Sequence, residues 1–147
     1  MVRQLLAQGF YSQPLVVHGV DLRIHLEHLL NTPLGLKHAP PRIKIFRRTR
    51  RMGTLGTAWW HHNRINLNEM PGYDGFDSID TLVHELAHLL VPQRCGHDST
   101  WERVYKTLAF EVYNADIEVH RFHSSKKEKR LHHILRTRNE KGLLTLP

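Results

Sequence analysis

Cysteine is almost absent from this sequence, which has one, Cys95, among 147 residues. A single cysteine excludes an internal disulfide and a four-cysteine zinc ribbon. Long hydrophobic runs are absent as well, since no stretch reaches the roughly 18–20 apolar residues of a membrane span. The N-terminus lacks the basic start and apolar run of a secretory signal. We therefore expect a cytoplasmic protein that does not contact a membrane.

Acidic residues are in the minority, since 21 Lys and Arg oppose 14 Asp and Glu for a formal net charge of +7. The excess is concentrated: residues 42–51 contain six basic and no acidic residues, and residues 120–147 contain eight basic and two acidic residues. Clustered basic charge is typical of contact with a polyanion such as DNA, but it also occurs on surfaces that meet only solvent. The candidate polyanion contacts are Arg47, Arg48, Arg50, Arg51, Lys126, Lys127, Lys129 and Arg130.

The spacing of apolar residues predicts both strands and helices. Alternation indicates three strands, at residues 42–47, 57–60 and 64–68. Helical spacing indicates three helices, at residues 21–30, 77–91 and 99–112. We expect an α+β fold in which a small three-stranded sheet, mixed or antiparallel, packs on the second helix. Residues 1–119 would form this domain, and residues 120–147 a basic tail in which a capping pattern at 125–128 predicts a further helix.

The second predicted helix contains the sequence His-Glu-Leu-Ala-His at residues 84–88. Residues four apart in a helix lie on one face, so His84 and His88 can both bind one Zn²⁺ ion at about 2.0–2.1 Å. Glu85 is then placed to act as general base toward a zinc-bound water. Ionisable side chains are costly to bury without partners in so apolar a segment, and a metal ion removes that cost. The pattern predicts a catalytic centre with one zinc ion.

A catalytic zinc ion usually has three protein ligands and one open position. The best candidate for the third is His97, because the loop after the helix can turn back over the first two ligands. The alternatives are Cys95, Asp98 and Glu102 or, as in thermolysin-like sites, Glu111 and Glu118. Glu102 suits a capping box with Ser99, and Cys95 a small buried position. Asp98 suits a group that orients a ligand imidazole.

Two segments, Val83-His-Glu-Leu-Ala-His-Leu-Leu90 and Gly96-His-Asp-Ser-Thr-Trp101, resemble the SprT-like zinc metallopeptidase domain. That family combines H-E-x-x-H with a later Gly-His and an aromatic-containing helix, and the resemblance covers about residues 20–115. It implies His84, His88 and His97 as zinc ligands and Glu85 as catalytic base. Spartan-related members cleave proteins attached to DNA, so the resemblance also implies substrates associated with nucleic acid. Many members carry a cysteine-rich ribbon, in whose place the basic tail would contact the polyanion. The alternatives for the tail are a solvated helix or a helix packed through Leu131, Ile134 and Leu135.

We accordingly expect a zinc metallopeptidase that hydrolyses peptide bonds. A substrate peptide would lie extended along the strand at residues 64–68 or along its hairpin partner. The tryptophans Trp59, Trp60 and Trp101 are expected in the core. Two other functions compete: a non-proteolytic, zinc-stabilised DNA-binding or virion-associated protein, and a metallohydrolase of small phosphate-containing substrates that uses the arginines at 47–51. The first would lack protease activity, and the second would turn over nucleotides.

Overall fold

The computed structural model describes residues 2–119 and 128–147. Within these residues, no helix is long and apolar enough to cross a membrane. The elements in chain order are β1 (Val16–Val17), β2 (Val20–Asp21), α1 (Arg23–Leu30), β3 (Arg42–Arg47), β4 (Gly56–Trp59), β5 (Arg64–Glu69), α2 (Gly75–Leu89), α3 (Ser99–Tyr113) and α4 (Leu131–Glu140). This small sheet with four helices confirms the expected α+β class.

The sheet has the strand order β3, β5, β4, and it is mixed. The central strand β5 pairs in parallel with β3 and antiparallel with β4. Ile65 and Leu67 of β5 are fully buried and belong to the core, whereas Asn66 between them is half-buried. Of the two strands expected to form a rim for a peptide, the one at residues 64–68 is excluded, because both edges of β5 are hydrogen-bonded to neighbouring strands. Among the described residues, the two edge strands of this sheet are β3 and the hairpin partner β4.

Helix α2 lies at the centre of the core and packs against α1, α3, α4 and the sheet. It begins at Gly75, two residues before the predicted start, because Asp74 caps it. The Asp74 carboxylate accepts the N–H of Asp77 at 3.1 Å, and the Asp77 carboxylate accepts the N–H of Asp74 at 3.0 Å. This reciprocal capping box satisfies two N–H groups that have no partner within the helix. The packing on several sides places the ionisable residues of α2 inside the fold.

Helix α3 is capped by Asp98, whose carboxylate accepts two backbone N–H groups of the first turn at 2.9 and 3.1 Å. The predicted capping box of Ser99 and Glu102 is therefore wrong. A carboxylate one residue earlier is a stronger acceptor than the serine hydroxyl, and Glu102 instead lies 3.7 Å from Lys106.

Helix α4 packs against α2, with Leu131, Ile134 and Leu135 buried. The predicted helix of the tail is therefore part of the core and not a solvated appendage. The helix ends at Glu140, and Gly142 closes it as expected: its φ of +70° lets the N–H of Leu143 donate to the carbonyl of Arg138 at 2.8 Å. The predicted capping residue 125 lies outside the described residues.

The three tryptophans have different environments. Trp101 is fully buried on α3, whereas Trp59 and Trp60 are 46% and 45% exposed. The expectation of a core position is wrong for these two, because they end an edge strand and begin the 3₁₀ turn Trp60–His62. Their exposure leaves aromatic surface at the end of β4.

Candidate metal centre

Three histidine side chains converge on one point. His84 and His88 lie one turn apart on α2, and His97 comes from the loop between α2 and α3. Their Nε2 atoms are separated by 3.3 Å (His84 to His88) and by 3.0 Å in each of the two pairs that include His97. In the described part of the chain, they are the one group with metal-ligand spacing. The alternatives do not belong to that group: Cys95, Asp98, Glu102, Glu111 and Glu118.

This triangle of nitrogens fits a zinc ion. For nitrogens about 2.0–2.1 Å from Zn²⁺ in tetrahedral geometry, neighbouring ligand atoms lie about 3.3–3.4 Å apart, close to the observed separations. Hydrogen bonds cannot satisfy the three contacts, because an imidazole nitrogen either carries a hydrogen or offers a lone pair. A cation that binds three lone pairs satisfies them all. Three imidazoles also leave the fourth position open, as in catalytic zinc sites.

The histidines are held in the neutral form that binds metal. Burial lowers the pKa of His84 to about 3 and that of His88 to about 4, and each shift is reinforced by the neighbouring histidines. The pKa of His97 is also lowered by burial, with a contribution from the charge of Arg130. All three side chains therefore present an unprotonated nitrogen at neutral pH.

An aromatic wall supports the ligands from behind. The Trp101 ring centroid lies 4.7 Å from those of His84 and His97 and 5.3 Å from that of His88. The indole N–H donates to the backbone carbonyl of His84 at 3.2 Å, and the ring stacks on Tyr105 at 5.2 Å. Contacts of this kind restrict the ligand rings to the orientations in which their nitrogens meet.

The loop that carries His97 is held at both ends. The Trp60 indole N–H donates to the carbonyl of Val91 at 3.0 Å, and Asp98 caps the following helix. Between them Gly96 has φ +54° and ψ −125°, a conformation that a residue with a side chain rarely adopts. The glycine therefore permits the turn that directs His97 toward α2.

Glu85 lies beside the triangle and is 6% exposed. Its Oε2 is 3.9 Å from Nε2 of His84, and burial raises the pKa of Glu85 to about 7. A carboxyl group with this pKa can accept and release a proton near neutral pH. Gly56 of β4 makes room for it, since a Cβ there would lie 2.7 Å from Thr81 and 3.2 Å from Glu85.

A cavity of about 850 Å³ opens over the histidines and Glu85. One wall is formed by residues 53–58, which lead into and include most of β4. Another part of the lining comes from the C-terminal segment, through Glu128, Arg130 and His132. The segment that the sequence divides from the main domain thus contributes to the same cavity.

The basic residues of the sequence analysis fall in different places. Arg47, Arg48, Arg50 and Arg51 are exposed at the end of β3 and after it. Three of them have local partners: Glu69 for Arg47 at 2.7 Å, Asn68 for Arg48 at 3.2 Å and the Tyr73 hydroxyl for Arg51 at 3.2 Å. Lys129 is exposed, whereas Arg130 lies in the cavity wall. Lys126 and Lys127 lie outside the described residues.

A cluster formed by the buried Asp80 and Tyr105 with the half-buried His132 was not predicted from the sequence. The Asp80 carboxylate accepts hydrogen bonds from the Tyr105 hydroxyl, from Nδ1 of His132 and from the backbone N–H of His132. Burial alone would raise the pKa of Asp80, but the hydrogen bonds from His132 and Tyr105 outweigh it and hold that pKa below its usual range. Asp80 lies one turn before His84. The feature of the sequence that could have indicated it is an acidic residue among apolar neighbours.

Comparison with known protein families shows that residues 24–123 match a family described as the SprT-like family. This stretch includes the three histidines, Glu85 and both helices that frame them. Neither a curated protein nor a solved structure matches the chain.

Proposed function

The chain belongs to the SprT-like family, and on that premise we propose that it is a zinc-dependent metallopeptidase. The observation that carries the proposal is the convergence of the Nε2 atoms of His84, His88 and His97 beside a buried glutamate. A structural zinc site has four protein ligands, whereas a catalytic site keeps one position open. The three-histidine set lines a cavity and has the composition of a catalytic site.

Glu85 is the proposed general base. A bound Zn²⁺ ion supplies Lewis-acid chemistry, because it polarises a carbonyl and lowers the pKa of water. The Glu85 carboxylate takes a proton from the attacking water and later gives a proton to the leaving amine. Burial raises the pKa of Glu85, which makes its carboxylate a stronger base toward water.

The free edge of β4 is the proposed docking line for the substrate. An extended peptide that adds to a sheet edge gains backbone hydrogen bonds regardless of its side chains. Residues 56–58 of β4 line the cavity, and the half-exposed Trp59 and Trp60 extend apolar surface from its end. A peptide bound along this edge would pass over the histidine site.

Substitution of Glu85 by Gln tests the assignment. We expect zinc content to stay near one ion per chain while hydrolysis of a casein-derived peptide library falls by about 10²–10⁴-fold. Glu111→Gln, which changes an exposed glutamate on α3, is the matched control and should keep full activity. Zinc binding without peptide hydrolysis by the wild type would favour the non-proteolytic alternative. Turnover of nucleotides in place of peptides would favour the phosphate metallohydrolase.

For partners, we propose that the exposed arginines 47–51 recruit the peptidase to substrates associated with nucleic acid. The support is local charge: Arg47, Arg48, Arg50 and Arg51 are exposed side by side. They do not line the cavity, so this proposal concerns recruitment and not the chemical step. Binding of DNA that weakens steeply with added salt is the expected signature, because neutralised phosphates release counterions.

A further inference from the structure

We propose that Arg130 is a catalytic residue of this site, whose guanidinium binds the carbonyl oxygen of the scissile peptide bond and stabilises the negative charge that this oxygen acquires. The inference rests on the proposed peptidase function and adds a second electrophilic group to it. Preorganised donors aimed at a developing oxyanion are among the largest contributions to enzymatic rate.

The position of Arg130 is the first support. Among the described residues that line the cavity, it is the one arginine or lysine. Its side chain is 27% exposed, so its charge is partly withdrawn from water and acts more strongly on neighbouring groups. His84, His88 and His97 line the same cavity, so the guanidinium and the histidine site face one shared space.

The backbone around Arg130 is anchored to the helices that build the site. The N–H of Leu131 donates to the Tyr105 hydroxyl at 3.3 Å, and the N–H of His132 donates to the Asp80 carboxylate at 3.2 Å. On the other side of Arg130, the backbone of Lys129 forms a bridge with that of Glu118. Arg130 is therefore held beside the cavity by α2, which carries two of the histidines, and by α3, which packs behind them. Such fixed positioning is the preorganisation that catalysis requires.

The side chain is oriented as well. Nε of Arg130 donates to the Glu128 carboxylate at 2.9 Å. Within the described residues the two terminal nitrogens have no hydrogen-bond partner, and together they offer four N–H groups. The guanidinium is thus fixed at one side and open at the other.

Arg130 forms no covalent bond during the proposed step. As a water oxygen bonds to the carbonyl carbon, the π electrons of the C=O bond move to oxygen, and a water proton passes to Glu85. Arg130 stays protonated and donates hydrogen bonds to that oxygen. When the C–N bond breaks, the oxygen returns its electrons to carbon and the amine leaves with a proton from Glu85.

The surroundings favour a developing oxyanion over a substrate carboxylate. Glu85 and Glu128 both line the cavity with Arg130. Their negative charges would repel a substrate carboxylate, which is negative from the moment it binds. A peptide carbonyl is neutral when it binds and becomes negative only in the transition state. Arg130 therefore suits cleavage within a chain better than removal of a C-terminal residue.

The experiment uses the zinc-loaded full chain and compares Arg130→Gln, Arg130→Lys and Arg136→Gln. Arg136 is the matched control, because it is also a partly exposed arginine of the C-terminal segment that pairs with acids, Asp74 and Asp77, but it does not line the cavity. We expect Arg130→Gln to lower kcat about 100-fold with KM changed less than about threefold. Arg130→Lys should recover part of the loss, and Arg136→Gln should keep kcat.

Calorimetry provides a readout that does not require turnover. A phosphinic peptide carries a negative tetrahedral group, so Arg130→Gln should weaken its binding about 100-fold while leaving binding of the matching peptide amide unchanged. A rise in KM at constant kcat, equal weakening of both ligands, or an equal loss in Arg136→Gln would overturn the assignment. Wild-type protein that binds the phosphinic peptide but hydrolyses no peptide would refute the proposed function and leave the Arg130 contact to be judged by calorimetry.

Discussion

Two groups of residues are conspicuous in the sequence: the histidine site and a basic strip. The strip is defined as Arg47, Arg48, Arg50 and Arg51. The two groups differ in how closely the fold brings their side chains together. Three nitrogens of the histidine site meet within 3.3 Å of one another, with an aromatic wall behind them. The side chains of the strip are exposed, and three of the four contact separate partners on the sheet or the adjacent loop.

This difference separates two kinds of recognition. A metal ion needs ligand atoms that converge within a few tenths of an ångström, so the fold must restrain each side chain. A polyanion needs only a raised local potential, which exposed charges supply without convergence. We therefore expect substitutions at the histidine site to have large effects on metal binding and stability, and substitutions in the strip to have small effects on both.

His97→Ala should produce the largest effect. It removes the one ligand that does not come from α2, and we expect zinc affinity to fall by more than the roughly 10–100-fold typical of losing a supporting group beyond the ligands. Competition with a chromogenic chelator measures the affinity. His62→Ala, in an exposed turn, is the control and should bind zinc normally. Unchanged zinc affinity in His97→Ala would mean that the convergence seen here is not the metal site.

The convergence of the histidines was predictable from the sequence because its main part is local. The spacing of His84 and His88 is a property of any α-helix, and the glycine in the following loop indicated where the chain turns back. The strand at residues 42–47 was equally clear, because its apolar residues alternate. Each of these features depends on neighbours within about a dozen residues.

Features that depend on distant contacts were not readable in the same way. Asp80 meets His132 across 52 positions of sequence, and no local pattern announces that pairing. The exposure of Trp59 and Trp60 follows from β4 being an edge strand, which is set by sheet order and not by composition. The capping of α3 by Asp98 in place of Ser99 is a competition between two adjacent acceptors, which the capping pattern alone does not decide.

Asp80→Asn should have the next largest effect. It removes the charge that accepts hydrogen bonds from Tyr105 and His132 in a buried setting, so we expect a loss of about 2–4 kcal/mol in the free energy of unfolding. Urea unfolding at pH 7 with a chelator present measures this loss apart from metal binding. Asp116→Asn, at an exposed position, should change stability little.

The effect of Asp80→Asn should also depend on pH. The pKa of Asp80 is held below its ordinary value by His132 and Tyr105, despite burial, so the carboxylate stabilises the fold fully above its ordinary pKa of about 4. That stabilisation is lost as the pH falls through the lowered value. The gap between wild type and variant should therefore be widest near neutrality and close in acid, and a gap that widens in acid would contradict the assignment of the charge.

The basic strip should give the smallest effect on the fold and a selective effect on recruitment. Changing its four arginines to Gln should alter the free energy of unfolding by less than about 1 kcal/mol, because exposed ion pairs contribute little. Hydrolysis of a free peptide should be unchanged, since the strip does not line the cavity. Affinity for double-stranded DNA should fall. The slope of log affinity against log salt concentration should become shallower by an amount that corresponds to up to about four phosphate contacts. The control removes four scattered exposed charges, at Lys37, Arg94, Arg103 and Lys141. An equal loss of DNA affinity in the control would mean that net charge, and not the strip, attracts the polyanion.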